Sequence, residues 1–361
     1  MVRWRSGTVT TVRREWTGAV ELDVALADGT VLRALAYPGL VGRPEVGDRV
    51  LLNAGALLMG LGTGGYALVV ALPDRLPPDP PAPADSRDAG HLVKARYTPL
   101  QPILLGVDEE SSPHRAALAG ADDLAGLPVV TADLHSALPA ILAGIRADAP
   151  GARVAYLLTD GAALPAWFSR TLAGLRGHLA GTISVGQAFG GDLEASTLYS
   201  GLLAARHVLH ADLAVVAQGP GNLGTGTRWG FSGVAVGEAV NAVAVLGGRP
   251  VGSLRISAAD PRPRHRGVSH HSLTAYGRIA LARAELAVPE GLDPALADAV
   301  DAALAPLAAR HDVVRVPVDG LDAALRASPV PLSTMGRGLA ADHVYFLAAA
   351  AAGRHAARLL S

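Results

Sequence analysis

The sequence predicts an α/β protein: a small antiparallel β barrel at the N-terminus, then a doubly wound, mostly parallel three-layer α/β domain. Three observations predict it. Short alternating or apolar runs separated by turn signals fill residues 1–75. A proline-rich stretch, Pro73-Asp74-Arg75-Leu76-Pro77-Pro78-Asp79-Pro80-Pro81-Ala82-Pro83, then breaks the pattern as a semi-rigid linker would. Beyond it, apolar runs alternate with Ala-rich amphipathic segments, the signature of a parallel sheet with crossover helices. A chain of 361 residues exceeds the usual size of a single core. The expected division is a barrel over 1–75, a linker over 76–90 and a Rossmann-like domain over 91–361.

In the barrel region, strands are expected at 7–13, 20–25, 31–37 and 49–52, with turns at Ala27-Asp28-Gly29 and Glu45-Val46-Gly47-Asp48. Closure into a barrel would remove their exposed edges. Residues 50–73 carry no charge, but Gly55, Gly60, Gly62, Gly64 and Gly65 divide them, so a hairpin of 51–59 and 66–72 is expected rather than a membrane span. In the second domain, strands are expected at 103–107, 127–131, 153–159, 182–185, 213–217, 251–256 and 313–316. Helices are expected at 137–147, 193–209, 234–246, 273–284, 294–309 and 339–359.

Composition excludes several chemistries. Cysteine is absent, which removes disulfides, thiol nucleophiles and thiolate metal sites. The net charge of −1 offers no field for DNA or an anionic membrane. The N-terminus lacks an apolar signal core, which points to a cytoplasmic protein. Lys94 is the single lysine, and no Gly-Lys-Ser/Thr occurs, so a P-loop is excluded. Gly-x-Ser-x-Gly, His-Glu-x-x-His and EF-hand patterns are also absent.

Two segments concentrate unusual chemistry. Six glycines fall within the sixteen residues from Gln218 to Gly233, between an apolar run and a helix-like one. Such a loop bares backbone N–H groups and suits an anion at a helix N-terminus, with Gly219, Gly221, Asn222, Gly224, Thr225 and Gly226 as candidate ligand contacts. Gly219-x-Gly221-x-x-Gly224 matches the dinucleotide fingerprint in letters. Pro220 interrupts it, however, and no acidic residue ends the following strand as ribose recognition requires.

The second segment, 260–271, carries Arg262, Arg264 and Arg266 around Pro261 and Pro263, a candidate preorganised anion clamp. It also holds His265, His270 and His271, candidates for proton transfer. Ser269 is a candidate N-cap, which would put His270 and His271 in a first helical turn where the dipole favours the neutral ring. Adjacent helical side chains diverge by about 100°, so a divalent metal would need His265 or a carboxylate from another loop. Asp192, after Gly190-Gly191, is expected at a helix start, as an N-cap, or else as a general base or magnesium ligand.

The combination of 186–195, 218–226 and 260–272 resembles a bacterial domain-of-unknown-function family (DUF3866), over nearly the whole chain. The resemblance implies no activity, cofactor or catalytic residue.

In an open parallel sheet, loops leaving the carboxyl ends of the strands gather on one edge. Gly221, Asp192 and at least two of the three histidines are therefore expected to line one pocket. The functional expectation is an enzyme binding a small anionic metabolite, phosphorylated or nucleotide-like, with the cofactor unknown and a dinucleotide or divalent metal both open. The alternative is a non-catalytic sensor or interaction module whose barrel contacts a protein or RNA. RNA is the weaker partner because basic and aromatic residues (Arg3, Trp4, Arg5, Arg13, Arg14, Trp16) cluster only near the start.

Overall fold

The computed structural model describes residues 2–61, 64–79 and 90–360. The chain divides into two compact units: Met1–Leu104 with Trp167–Ala173, and Leu105–Ala166 with Gly174–Ser361.

In the first unit, β1 (Trp4–Trp16), β2 (Ala19–Leu26), β3 (Val31–Ala36), β4 (Arg49–Asn53) and β5 (Ala67–Ala71) close a barrel in the order β1-β2-β3-β5-β4. Val9, Val20, Leu22, Val24, Val50 and Leu52 fill it, as the period-two pattern requires. Two register shifts in β1 let its thirteen residues bend around the core. The barrel is mixed rather than antiparallel. β4 returns to pair with β1 (Trp4↔Asn53), so β5 must close the open edge of β3, and it does so in parallel (Ala34↔Ala67). β4 and β5 pair antiparallel as the hairpin reading requires, although a one-turn helix, α2 (Gly55–Leu58), stands where its first strand was expected to continue; another, α1 (Pro38–Val41), precedes β4. β6 (Leu92–Val93) and β7 (Ile103–Leu104) form a separate two-stranded ribbon, so the expected 103–107 strand is split: Ile103–Leu104 leave the parallel sheet, while Gly106 makes an isolated parallel bridge to Glu194 and Val107 N donates to Glu194 O at 2.7 Å. Residues 80–89, most of the linker, lie outside the described residues. Lys94 is fully buried within this unit.

In the second unit, α3 (Arg115–Leu118) precedes β8 (Pro128–Ala132), α4 (Leu138–Asp148), β9 (Val154–Thr159), β10 (Gly181–Ser184) and β11 (Leu193–Glu194), while α5 (Arg170–Leu175), between β9 and β10 in the chain, has its first four residues in the first unit. There follow α6 (Leu198–His207), β12 (Leu213–Gln218), α7 (Ala235–Val245), β13 (Arg249–Ser253), β14 (Ile256–Ser257) and β15 (Gly267–Val268). The chain ends with α8 (His270–Thr274), β16 (Glu285–Pro289), α9 (Pro294–Leu304), β17 (Asp312–Val316), α10 (Leu321–Arg326), β18 (Ser333–Thr334), β19 (Arg337–Gly338) and α11 (His343–Arg358). Eight strands make one sheet in the order β11-β10-β9-β12-β8-β13-β16-β17, and every pair in it is parallel. β8 and β12 are buried along their whole length, which is why they read as unbroken apolar runs.

Two strands of the parallel sheet, β11 and β16, were not visible as such in the sequence. The 193–209 segment is β11 followed by α6, whose start is a capping box between Thr197 and Ser200. The 273–284 segment is the end of α8, a π-helical turn at Ala275–Ile279 and the approach to β16. Among the described residues, no helix is long and apolar enough to cross a membrane.

Leu202, Ala205, Ala239 and Val243 of α6 and α7 pack on Val129, Leu157, Ile183 and Val216 of the sheet. On the other face α4 and α11 cross with almost no space between backbones. A Cβ added at Gly144 would lie 1.9 Å from the Ala350 carbonyl oxygen, and one at Gly353 would lie 2.0 Å from that of Ile141. Neither neighbour can yield, because both are helical backbone. Gly144→Ala and Gly353→Ala should each lower stability by about 2–3 kcal/mol, although alanine is the better helix former. Urea denaturation of the full chain checks this, and an unchanged midpoint would show that the helices can separate freely.

Candidate functional site

β12, β8 and β13 are neighbours at the centre of the sheet. Strands lie about 4.8 Å apart, so the loops leaving their carboxyl ends start within about 10 Å of one another. The chain leaves β12 on one side of β8 and returns as β13 on the other, a switch in strand order of the kind that opens a ligand crevice. Asp133 follows β8 directly, the glycine loop follows β12, and 254–271 follows β13.

The glycine loop is a folded hairpin rather than an open cradle. Thr225 N donates to Gly230 O at 2.7 Å, Ser232 N donates to Leu223 O at 3.0 Å, and Gly224 bridges Phe231. Positive φ at Gly221 (91°) and Gly226 (83°) makes the two reversals possible. Asn222 pins the base: its Oδ1 accepts from Ser232 Oγ at 2.8 Å and from Gly233 N at 3.2 Å. The N–H at the start of the following helix is thus already satisfied by a side chain, which departs from the expected anion seat at a helix N-terminus. Gly219 is a packing glycine, since a Cβ there would lie 2.3 Å from the Ala163 carbonyl oxygen.

The loop after β13 is organised by one carboxylate. β14 and β15 pair antiparallel and close the excursion between them. At its base lies Asp260, wholly buried, accepting from Arg255 at 3.1 Å, from Arg262 at 2.9 Å and from Arg337 at 3.2 Å. Arg337 also pairs with Asp342 at 2.9 Å, and Ser257 Oγ donates to Asp342 at 2.8 Å. The Arg262 hydrogen bond, aided by the nearby positive charges, holds the Asp260 carboxyl far below the usual carboxylate range.

The histidines converge. Their ring centroids are 4.9 Å (His265–His270), 4.8 Å (His265–His271) and 4.4 Å (His270–His271) apart. Sequence spacing suggested that His270 and His271 would diverge. They meet because Ser269 caps α8, leaving both in its first turn, where Cα–Cβ bonds tilt toward the helix N-terminus and carry both rings over its end. A 3₁₀ turn, Pro263–His265, brings the third ring back to them, and His265 Nδ1 lies 2.7 Å from Ser269 Oγ. Phe231 stacks flat on His271 at 3.8 Å. Burial, reinforced by Arg255 and Arg262, pushes His265 down to about 3. Burial, with His271 and Arg264 adding, pushes His270 down to about 4. Both are neutral at physiological pH, with lone pairs to offer.

These residues surround a cavity of about 140 Å³. Asn222, Gly224, Gly226, Arg262, Arg264 and all three histidines line it, so the glycine loop and the histidine loop meet as expected. Gly219, Gly221, Thr225 and Arg266 do not line it. Thr225 Oγ1 instead bonds within its own hairpin, to Thr227 Oγ1 at 3.1 Å. Asp192 is elsewhere. Gly186 and Gly190, both at positive φ, turn the chain back so that β11 can run parallel beside β10, and this carries Asp192 to the opposite edge of the sheet. There its carboxylate accepts from Thr182 N at 2.9 Å and from Thr182 Oγ1 at 2.8 Å. It is neither a helix cap nor a member of the site. Asp160, after β9, ties down the loop after β10, accepting from Gln187 N at 2.8 Å.

Three contributors escaped the sequence reading. Arg255 and Phe231 had no motif to mark them. Asp133 did carry a signal, a carboxylate directly after the apolar run Val129-Val130-Thr131-Ala132. It is buried, and its Oδ2 lies 3.4 Å from His271 Nδ1.

Residues 33–353 match the family described as protein of unknown function (DUF3866). The chain belongs to that family. The match begins within β3, after β1 and β2, and spans nearly all of the α/β unit. No curated protein matches the chain.

Asp260→Asn removes the carboxylate that Arg255 and Arg262 share, leaving buried positive charge uncompensated; it should cost about 3–5 kcal/mol. Because the folded group titrates below the ordinary value of 3.8, its stabilisation is complete above that pH and is lost as pH falls below it. The stability gap between wild type and variant should therefore be constant near neutrality and narrow below pH 3.8. Denaturant titrations at several pH values check both statements, and a gap that widens in acid contradicts the assignment.

Proposed function

We propose that this chain is a cytoplasmic enzyme that binds a small anionic metabolite, phosphorylated or nucleotide-like, at the carboxyl edge of its parallel sheet. The observation that carries this reading is the junction, in one cavity, of three arginines with three histidines, two of which are held neutral. Around that cavity Arg255 and Arg262 share the single carboxylate of Asp260, and Arg264, among the described residues, has no carboxylate partner. An anion entering there meets surplus guanidinium charge, and guanidinium forks suit phosphate oxygens.

The cavity of about 140 Å³ is smaller than the pockets that enclose whole drug-sized ligands, about 300–1,000 Å³. It suits the anionic head group, with the rest of the molecule lying along the exposed glycine hairpin. A neutral imidazole beside a bound anion is a general base in waiting, and His270, the least buried of the three, is placed to take that part. Charged metabolites of this kind are retained in the cytoplasm, which is where the reading places the protein.

A panel of orthophosphate, pyrophosphate, nucleoside monophosphates and sugar phosphates tests it by thermal unfolding in the presence of a chelator. The true ligand at a hundredfold excess over its Kd stabilises the fold by about 2.7 kcal/mol. Its unphosphorylated counterpart should give no shift, and Arg264→Ala should reduce the shift at equal concentration. A panel without shifts, or shifts that survive Arg264→Ala undiminished, would sink the reading.

A further inference from the structure

We propose that His265, His270 and His271 form a binding site for one divalent first-row transition ion of the Zn²⁺ or Co²⁺ kind, with Asp133 as the group that orients His271. The site shares the cavity with the anion reading but does not rest on it.

The donor atoms come first. One ring nitrogen from each histidine falls within 4.8 Å of those of the other two. Zn–N bonds of about 2.0–2.1 Å in a tetrahedron place ligand nitrogens about 3.3 Å apart, so ring rotations of modest size close the cluster on an ion. Imidazole is a ligand for zinc, cobalt, nickel and iron rather than for magnesium or calcium, which take oxygen. Three histidines leave the fourth tetrahedral position open, and all three line the cavity from which a water or substrate atom could reach it.

The surroundings supply the second, independent observation. His270 Nε2 is buried, and among the described residues it has no hydrogen-bond partner. A buried ring nitrogen without a partner costs free energy unless something binds it. Asp133 Oδ2 is a second such orphan, 3.4 Å from His271 Nδ1. His271 Nδ1 now lies 3.3 Å from Asn222 Nδ2; an ion on His271 Nε2 puts the proton on Nδ1, so the Asn222 amide turns aside, the proton is donated to Asp133 Oδ2, and both vacancies are then filled together. This is the carboxylate–histidine–metal arrangement that fixes tautomer and ring orientation. His265 is prepared in the same sense. Its Nδ1 can donate to Ser269 Oγ at 2.7 Å, which leaves Nε2 as its ligand atom. Phe231, flat against His271, holds that ring in plane and shields the centre from water.

The experiment uses the full chain, stripped with chelator and returned to a phosphate-free, non-coordinating buffer near pH 7.5. Zn²⁺ uptake is measured by equilibrium dialysis with metal analysis, and Co²⁺ uptake by its visible absorption. The proposal expects one ion per chain. His270→Ala, at the half-buried ring, should weaken uptake by at least about 100-fold, and Asp133→Asn by about 10- to 100-fold. Circular dichroism establishes that each variant is folded. Asp192→Ala, on the far sheet edge, should bind as wild type does. Failure of the folded wild-type chain to take up either ion stoichiometrically overturns the proposal, as does undiminished uptake by folded His270→Ala. A positive phosphate panel under chelation together with no metal uptake would leave the anion reading standing and this one refuted, and the converse result would separate them equally.

Discussion

Parallel pairing of β12, β8 and β13 is the constraint on which everything functional in this chain depends. The hydrogen-bonded registers Ala214↔Val129 and Val251↔Val130 hold the three strands level and pointed the same way. Their carboxyl ends therefore deliver Asp133, the glycine hairpin and the histidine loop to one edge. Were any of the three antiparallel, its loop would leave from the far side of the molecule. Right-handed crossovers make the arrangement self-consistent, because helices fill both faces and the edge is left as the place where loops can gather.

A second layer of order is electrostatic. Burying Asp260 among Arg255, Arg262 and Arg337 would be costly without such complete pairing. Fully paired, the network fixes the course of a loop that has hardly any regular secondary structure of its own. The same guanidinium groups then act at a distance, since Arg255 and Arg262 help to keep His265 uncharged. One buried carboxylate thus shapes the loop and, through its partners, the protonation state of the neighbouring rings. It also alters the meaning of the arginine-rich segment. Arg262 is partly neutralised by an internal partner, Arg266 does not line the cavity, and Arg264 is left as the cavity-lining arginine without a carboxylate among the described residues.

Much of this was legible in the residues. β8, β9 and β12 stand out because a strand covered on both faces must be apolar throughout. The barrel strands stand out for the opposite reason, a period of two between core and solvent. β11 and β16 did not stand out. Leu193-Glu194 is too short to show a period, and Glu285-Leu286-Ala287-Val288-Pro289 has a charge at one end and a proline at the other. Asp192 shows the limit from another side. Glycines before an acidic residue fit a helix start, but here they serve a reversal that adds an edge strand, and nothing local distinguishes the two.

By itself the sequence determined the two-part architecture, the strand–helix alternation, the glycine and histidine loops as the places of unusual chemistry, and the absence of every thiol-based function. These follow from backbone propensity, hydrophobic period and residue chemistry, all of them local. Only the tertiary structure decided that His265, His270 and His271 share one centre, that Asp133 stands behind His271, that Asp260 gathers three arginines, and that Asp192 belongs to the other edge. Those are contacts between segments far apart in the chain. They arise from strand order and from the tilt of side chains over a helix end, and neither can be read from spacing along a line.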